Sequence, residues 1–97
     1  MVKLQKLEII TEKRSLETVI EMIDNQGVTG YTIIENVTGK GKRGTKLGDD
    51  LNDVFRNVMV ITVCDEEQAQ AIIQNLKVFL KKISGIVIVS EVSYVLH

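Results

Sequence analysis

The sequence predicts an α+β domain in which four strands and two helices follow one another in the order βαββαβ. Four short apolar runs rich in β-branched residues indicate the strands, and two segments with helical apolar spacing indicate the helices. A weak internal repeat pairs LEIITEK…GYTIIENV with MVITVCDEE…GIVIVSEV, and each half reads strand, helix, strand. This order is that of the ferredoxin-like plait, a four-stranded antiparallel sheet with both helices on one face.

The first half of the repeat is predicted to begin with a strand over residues 3–10. After Ser15, apolar residues recur at positions i, i+3, i+4 and i+7, which predicts one face of a helix. Ser15, directly before this pattern, is the expected N-cap of the helix. Gly27 is expected to end that helix, since glycine readily adopts the left-handed conformation of a helix C-terminus. A second strand follows over residues 30–37. Residues 38–53 are rich in glycine, lack hydrophobic periodicity and are predicted to form a loop.

The second half of the repeat is predicted to begin with a strand over residues 54–64. Asp65 is the expected cap of the second helix, and Gln68, three positions later, suggests a capping box. The apolar stripe of this helix is predicted to continue as far as Ile83. Ser-Gly then stops the helix, and the fourth strand is predicted over residues 85–96.

Both faces of the third and fourth strands are apolar, which is unusual for a sheet that carries helices on one side only. Met59 and Ile61 alternate with Val58 and Val60, and the same holds along the fourth strand. An antiparallel sheet with one solvated face should alternate apolar and polar residues. A chain of 97 residues has no third layer for the second face. The sequence therefore predicts a homo-oligomer.

The overall composition is that of one ordinary globular domain. Hydrophobic residues make up 44% and charged residues 26%, with a formal net charge of -1, which argues against broad electrostatic binding to nucleic acid. The one cysteine, Cys64, excludes an internal disulfide and a multi-cysteine zinc site. No signal-peptide core or apolar run of membrane-spanning length is present, so we expect a cytoplasmic protein.

The loop contains GKGKRG at residues 39–44, which matches the glycine pattern of dinucleotide-binding folds. That function requires the glycines to open a helix, but here they lead into TKLGDDLND, which has no apolar helical face. A Walker A loop is excluded because no Gly-x4-Gly-Lys-Ser/Thr run opens a helix here. Two interpretations remain: glycines and cations that bind an anion, or a charged surface loop.

With these elements placed, the sequence resembles the PII and PII-like signal-transduction proteins over nearly its whole length. The most specific stretches are GVTGYTIIENVTGKGKRG at 27–44 and NVMVITVCDEE at 57–67. The resemblance implies one PII-like domain over 1–97 that forms a homotrimer, with adenine-nucleotide clefts between subunits. Residues 38–53 would be the flexible T-loop, which docks onto a transporter, channel or enzyme. Any membrane association would be peripheral, through such a target.

The resemblance also assigns roles to individual residues. A threonine hydroxyl and an apolar side chain would meet the adenine, and glycines and cations at the base of the T-loop would lie beside the phosphates. The residues assigned to this nucleotide site are Thr32, Gly39, Gly41, Lys42, Arg43, Val63, Gly85 and His97. No catalytic residue, metal or resident cofactor is implied, so the protein is expected not to be an enzyme.

Two departures from the main PII branch bear on the expected ligand. Ile86 stands where that branch has a lysine, and His97 stands at one of its two arginine positions. Each lost charge-assisted contact weakens triphosphate binding by about 1.5–3 kcal/mol. The pattern is closer to the PII-like branch associated with bicarbonate transporters and carboxysomes. The implied ligand is AMP, ADP or cyclic AMP, with bicarbonate as a further candidate, rather than tightly bound ATP with 2-oxoglutarate.

Two other functions are compatible with a plait of this size. An acylphosphatase-like hydrolase would use an arginine and an asparagine, and Arg43, Arg56 and Asn57 are available, but ITEKRS after the first strand lacks a phosphate-binding glycine loop. A metal- or bicarbonate-binding CutA-like structural trimer is the other alternative. The scarcity of cysteine and histidine argues against the metal site.

Overall fold

The computed structural model describes residues 2–39 and 57–95, which form the predicted sequence of strands and helices. A 3-10 turn at Lys13–Ser15 joins the first strand to the first helix. The elements are β1 (Val2–Glu12), α1 (Leu16–Asp24), β2 (Thr32–Val37), β3 (Asn57–Cys64), α2 (Glu66–Phe79) and β4 (Gly85–Tyr94). None of the helices within these two ranges is long and apolar enough to cross a membrane.

The four strands form one antiparallel sheet in the order β2-β3-β1-β4. The two central strands, β1 and β3, pair from Gln5↔Cys64 to Glu12↔Asn57. Strands β2 and β4 form the edges, and each pairs with one central strand. This topology confirms the ferredoxin-like fold predicted from the sequence.

The hydrophobic core lies between one face of the sheet and the two helices. Alternate residues of β1 and β3 point into it, because side chains on a strand alternate between faces. The helices contribute residues three and four positions apart, as an amphipathic stripe requires. The buried cluster comprises Leu7, Ile9, Val19, Ile23, Val60, Cys64, Ala69, Ile72 and Leu76.

The other side of the sheet, called here the open face, carries an apolar row across all four strands. Ile34 pairs with Met59, Met59 with Ile10, and Ile10 with Ile86. The two edge members of the row are exposed, Ile34 at 43% and Ile86 at 52%. Ile88, also on β4, is 46% exposed. The two-sided apolar character that the sequence predicted is therefore present in the fold.

The end of α1 and the start of α2 use the signals that the sequence predicted. Gly27 adopts φ +76° just beyond α1, in the left-handed region. At α2, the Gln68 backbone N–H donates to Asp65 Oδ1 at 2.7 Å, and the Asp65 backbone N–H donates to Gln68 Oε1 at 3.1 Å. This reciprocal pair is a complete capping box.

One helix-boundary prediction is confirmed in position and one was wrong. Ser15 is the N-cap residue of α1, as predicted, but its side chain makes no capping hydrogen bond. It closes a 3-10 turn with φ −96° and ψ 0°, whereas a capping side chain needs an extended backbone. The second helix ends at Phe79 and does not reach Ile83, because the Lys82 N–H bonds to the Phe79 carbonyl and the chain turns toward β4.

Candidate functional site

An open cleft of about 240 Å³ lies where β2 begins and β3 ends. It is called here the β2 cleft. Its walls come from the end of the α1–β2 connection, the start of β2, the last residues of β3 and the end of β4. The lining residues are Thr29, Gly30, Tyr31, Thr32, Ile61, Thr62, Val63 and Tyr94.

The described lining of the β2 cleft is uncharged and mixes hydroxyl groups with apolar side chains. Such a surface suits a neutral, partly apolar group that accepts or donates hydrogen bonds, whereas an anion would require cations or converging backbone N–H groups. Complete small-molecule pockets usually enclose about 300–1,000 Å³. The β2 cleft, as lined by the described residues, is smaller than this range and is open to one side.

Thr32 and Val63 are brought together by strand pairing. Thr32 lies opposite Ile61 in the β2–β3 register, so the two share a face of the sheet. Val63, two residues after Ile61, points to the same face. That face is the open one, since Val60 and Cys64 point into the core. The sheet thus places on neighbouring strands two residues that are 31 positions apart in the sequence.

The wall formed by Thr29, Gly30 and Tyr31 is fixed by two buried or half-buried side chains. Thr62 Oγ1 donates to the Gly30 carbonyl at 2.7 Å, and Thr62 is only 2% exposed. Gln68 Nε2 donates to the Gln26 carbonyl at 3.0 Å. Gln68 therefore both caps α2 and holds the start of the connection that leads into the cleft.

A bulge bends β2 on its way out of the sheet. The β2–β3 register shifts between Glu35 and Val37, and Asn36 between them has φ +60°. A bulge adds twist and turns its strand away from the regular direction. The Lys13 ammonium lies 3.6 Å from the Glu35 carboxylate and links this bend to the end of β1.

The other predicted site residues do not line the β2 cleft in the described part of the chain. Gly39 is exposed, two residues beyond the end of β2. Gly41, Lys42, Arg43 and His97 lie outside the described residues, as does most of the predicted loop at 38–53.

Gly85 has a steric role that the sequence did not reveal. It begins β4, and a Cβ built at this position would lie 2.6 Å from Leu80 Cδ2 and 3.0 Å from the Ile10 carbonyl oxygen. The neighbouring Ser84 carbonyl accepts a hydrogen bond from Thr11 Oγ1 at 3.1 Å. A side chain at this position would therefore require Leu80 to move and would crowd the Ile10 carbonyl of β1.

Sequence reasoning missed six residues of the cleft: Thr29, Gly30, Tyr31, Ile61, Thr62 and Tyr94. The first three lie within the motif stretch GVTGYTIIENV, so their proximity to Thr32 was available as a signal. Ile61 and Thr62 lie within the other motif stretch, NVMVITVCDEE, directly before Val63. Tyr94 gave no signal, because it reaches the cleft from β4.

Metal and thiol chemistry receive no support from the described residues. Within residues 2–39 and 57–95, no group of three or more His, Cys, Asp or Glu side chains could hold a metal ion. Cys64 is 4% exposed at the end of β3. Burial, and secondarily the negative charge of Asp65, raises the pKa of the Cys64 thiol, so the reactive thiolate is disfavoured.

Comparison with known proteins identifies the family to which this chain belongs. The sequence matches the family Nitrogen regulatory protein P-II over residues 4–97. The chain belongs to the P-II family. The comparison of this PII sequence with curated proteins gives no match.

Solved structures place this PII chain among the PII-like proteins. It is similar to CPII, a nitrogen regulatory PII-like protein from Thiomonas intermedia bound to ADP, AMP and bicarbonate, with 32% identity and a TM-score of 0.80. That match covers 94% of this chain and 87% of CPII. A PII-like signalling protein from Thermus thermophilus is 28% identical, covers 94% and 88% of the two chains and has a TM-score of 0.76.

A more distant PII structure agrees in fold. The GlnK–ATP complex of B. subtilis is 23% identical to this chain, with a TM-score of 0.68 over 94% of this chain and 83% of GlnK. At this identity the likeness shows the shared fold alone. The higher identity to CPII supports the PII-like branch that the sequence resembles.

Proposed function

We propose that this protein is a PII-like signalling protein that binds an adenine nucleotide at the β2 cleft. The observation that carries the proposal is the cleft itself: an uncharged wall in which Thr32 and Val63 stand together, as the resemblance to nucleotide-binding relatives requires. The structures of CPII bound to ADP, AMP and bicarbonate support AMP or ADP, with cyclic AMP as a further candidate, over ATP with 2-oxoglutarate.

The second wall of the site comes from another subunit in this proposal. A cleft below the usual volume of a complete pocket needs an additional wall, and the open face supplies a reason for subunits to meet. Its apolar row ends in exposed Ile34 and Ile86, and covering such a surface removes apolar area from water. A trimer with three equivalent clefts is the assembly that the family resemblance implies.

The phosphates are assigned to residues beyond the β2 cleft. Gly39 and Gly41 allow close approach of backbone N–H groups, and Lys42 and Arg43 supply charge-assisted hydrogen bonds. His97 and Gly85 complete the set implied by the resemblance. The uncharged lining of the β2 cleft supports this division, because it suits a base better than a phosphate.

The output is proposed to be regulatory rather than chemical. Residues 38–53 act as a T-loop whose conformation depends on the bound nucleotide and which docks onto a transporter, channel or enzyme. A ligand shifts such an equilibrium only through its different affinity for the two loop states. The bicarbonate in CPII supports a target in inorganic-carbon metabolism.

Calorimetric titration tests nucleotide binding. AMP, ADP, ATP and cyclic AMP are titrated with and without bicarbonate into the wild type and the Lys42→Ala/Arg43→Ala variant. We expect micromolar binding of AMP or ADP that is at least about tenfold weaker in this variant. Lys3→Ala/Lys77→Ala is the matched control, because it removes two positive charges from exposed positions outside the cleft. Failure of the wild type to bind any of the four nucleotides would refute the proposal.

Light scattering after size-exclusion chromatography tests the assembly. Ile86→Glu places a charge on the open face, where Ile86 is 52% exposed in the single chain. Val78→Glu is the matched control, because Val78 is 63% exposed on α2, on the helix side of the sheet. We expect a three-chain mass for the wild type and the control, and a one-chain mass for Ile86→Glu. A one-chain wild type would contradict the proposed trimer.

A further inference from the structure

The tyrosines of the chain converge on one place. The sequence contains two tyrosines, two phenylalanines and no tryptophan. Both tyrosines line the β2 cleft, although Tyr31 precedes β2 and Tyr94 ends β4, on opposite edges of the sheet. Their proximity is therefore produced by the fold and not by their positions in sequence.

The two side chains also differ from ordinary core aromatics. Tyr31 is 42% exposed, and Tyr94 is half-buried. A single exposed aromatic residue needs no explanation, since much of any protein surface is apolar. Here two aromatic residues line the same small cleft, among threonines and without a charged residue in the described lining. Together they form a surface suited to a flat ring with polar edges.

We propose that Tyr31 and Tyr94 provide an aromatic surface that stacks on the purine ring and makes the β2 cleft selective for purines. The inference rests on the proposed nucleotide-binding function and adds two residues that determine its specificity. A purine offers a larger π-face than a pyrimidine, so stacking favours adenine nucleotides over cytidine or uridine nucleotides of equal charge.

The fold holds Tyr31 in position before any ligand arrives. Gly30, directly before it, is bound through its carbonyl to Thr62, and Thr32, directly after it, pairs with Ile61 of β3. Tyr94 is placed by its pairing with Val2 of the central strand β1. A backbone that is already fixed loses less conformational entropy on binding, which favours affinity for a rigid planar ligand.

Calorimetry with four tyrosine variants tests the inference. We expect Tyr31→Leu and Tyr94→Leu each to bind AMP and adenosine roughly tenfold more weakly, because stacking on one aromatic side chain is lost. Tyr31→Phe and Tyr94→Phe keep the ring and should bind within about twofold of the wild type. Phe79→Leu is the control for loss of an aromatic ring, because Phe79 packs against the core and does not line the cleft.

Ligand fragments separate the base from the phosphate. Adenosine carries the base alone, ribose 5-phosphate carries no base, and CMP carries a smaller ring with the same charge as AMP. The leucine variants should lose affinity for adenosine and AMP and leave any binding of ribose 5-phosphate unchanged. The wild type should prefer AMP to CMP by about tenfold, and the leucine variants should reduce that preference.

Tyrosine emission provides a readout that needs no variant. Since the chain has no tryptophan, its fluorescence comes from Tyr31 and Tyr94, and saturating adenosine should quench it. Unchanged emission, equal AMP affinity in the leucine variants, or equal loss in the phenylalanine and leucine variants would overturn the stacking role while nucleotide binding stands. A wild type that binds no nucleotide would overturn both proposals.

Discussion

Replacing Thr62 with valine should loosen the start of β2 at a small cost in global stability. Thr62 is 2% exposed, and its Oγ1 donates to the Gly30 carbonyl at 2.7 Å. A hydrogen bond of this kind contributes about 0.5–1.5 kcal/mol. Valine has nearly the same shape and adds apolar burial, and Gly30 is exposed, so water can satisfy its freed carbonyl. We therefore expect the free energy of unfolding to fall by only about 0.5–1 kcal/mol.

Hydrogen exchange resolves the local effect from the global one. Without the Thr62–Gly30 bond, β2 should open from its first residue, and the amides of Thr32–Val37 should exchange faster than in the wild type. Thr11→Val is the matched control, since Thr11 is 1% exposed and donates to the Ser84 carbonyl at 3.1 Å. That variant should accelerate exchange near the start of β4 and leave β2 unchanged.

The thermal shift provides the second measurement for the same variant. A loss of about 1 kcal/mol lowers Tm by about 4–8 °C in a domain of this size. Both threonine variants are compared with the wild type at one protein concentration, because assembly makes Tm concentration-dependent. Equal acceleration of β2 exchange in both variants, or none in Thr62→Val, would refute the claim that Thr62 anchors this wall of the cleft.

Three further perturbations follow from the structure. Gly85→Ala should lower the free energy of unfolding by about 1–3 kcal/mol, because the new Cβ lies 3.0 Å from the Ile10 carbonyl oxygen; an unchanged melting curve would contradict this steric role. Asp65→Ala should cost about 1 kcal/mol in denaturant unfolding through loss of the Gln68 capping box, and a neutral effect would show that the box is not stabilising. Burial and the nearby charge of Asp65 raise the pKa of the Cys64 thiol. A thiol reagent at about pH 8 should therefore react much faster with the unfolded protein than with the folded protein. Equal rates would contradict the burial of Cys64.

The fold was predictable because its signals are local and periodic. The apolar stripe that follows residue 15 spans about two helical turns. The capping residues Asp65 and Gln68 are only three positions apart. Strand order followed from the βαββαβ sequence of elements. The position of the Ser15 cap was predicted, but a 3-10 turn there replaces the side-chain hydrogen bond. The end of α2 was predicted too late, because the turn toward β4 ends this helix at Phe79.

The cleft was predictable only where its residues lie in the motif stretches of β2 and β3. Thr32 was assigned through its motif, and Val63 through the matching strand beside it. Tyr94 could not be found in this way, because it lies on the opposite edge strand and only the folded sheet brings it to the cleft. The steric role of Gly85 likewise depends on how closely β4 approaches the Ile10 carbonyl, which no sequence pattern encodes.

Methyl NMR of the isotope-labelled protein during titration with AMP tests the central claim most directly. The account predicts saturable shifts of the Ile61 and Val63 methyl signals, which line the β2 cleft, while Ile72 and Val19 in the fully buried core stay in place. Binding of AMP that leaves Ile61 and Val63 unmoved, or the absence of any shift at saturating AMP, would contradict the assignment of the β2 cleft as the nucleotide site.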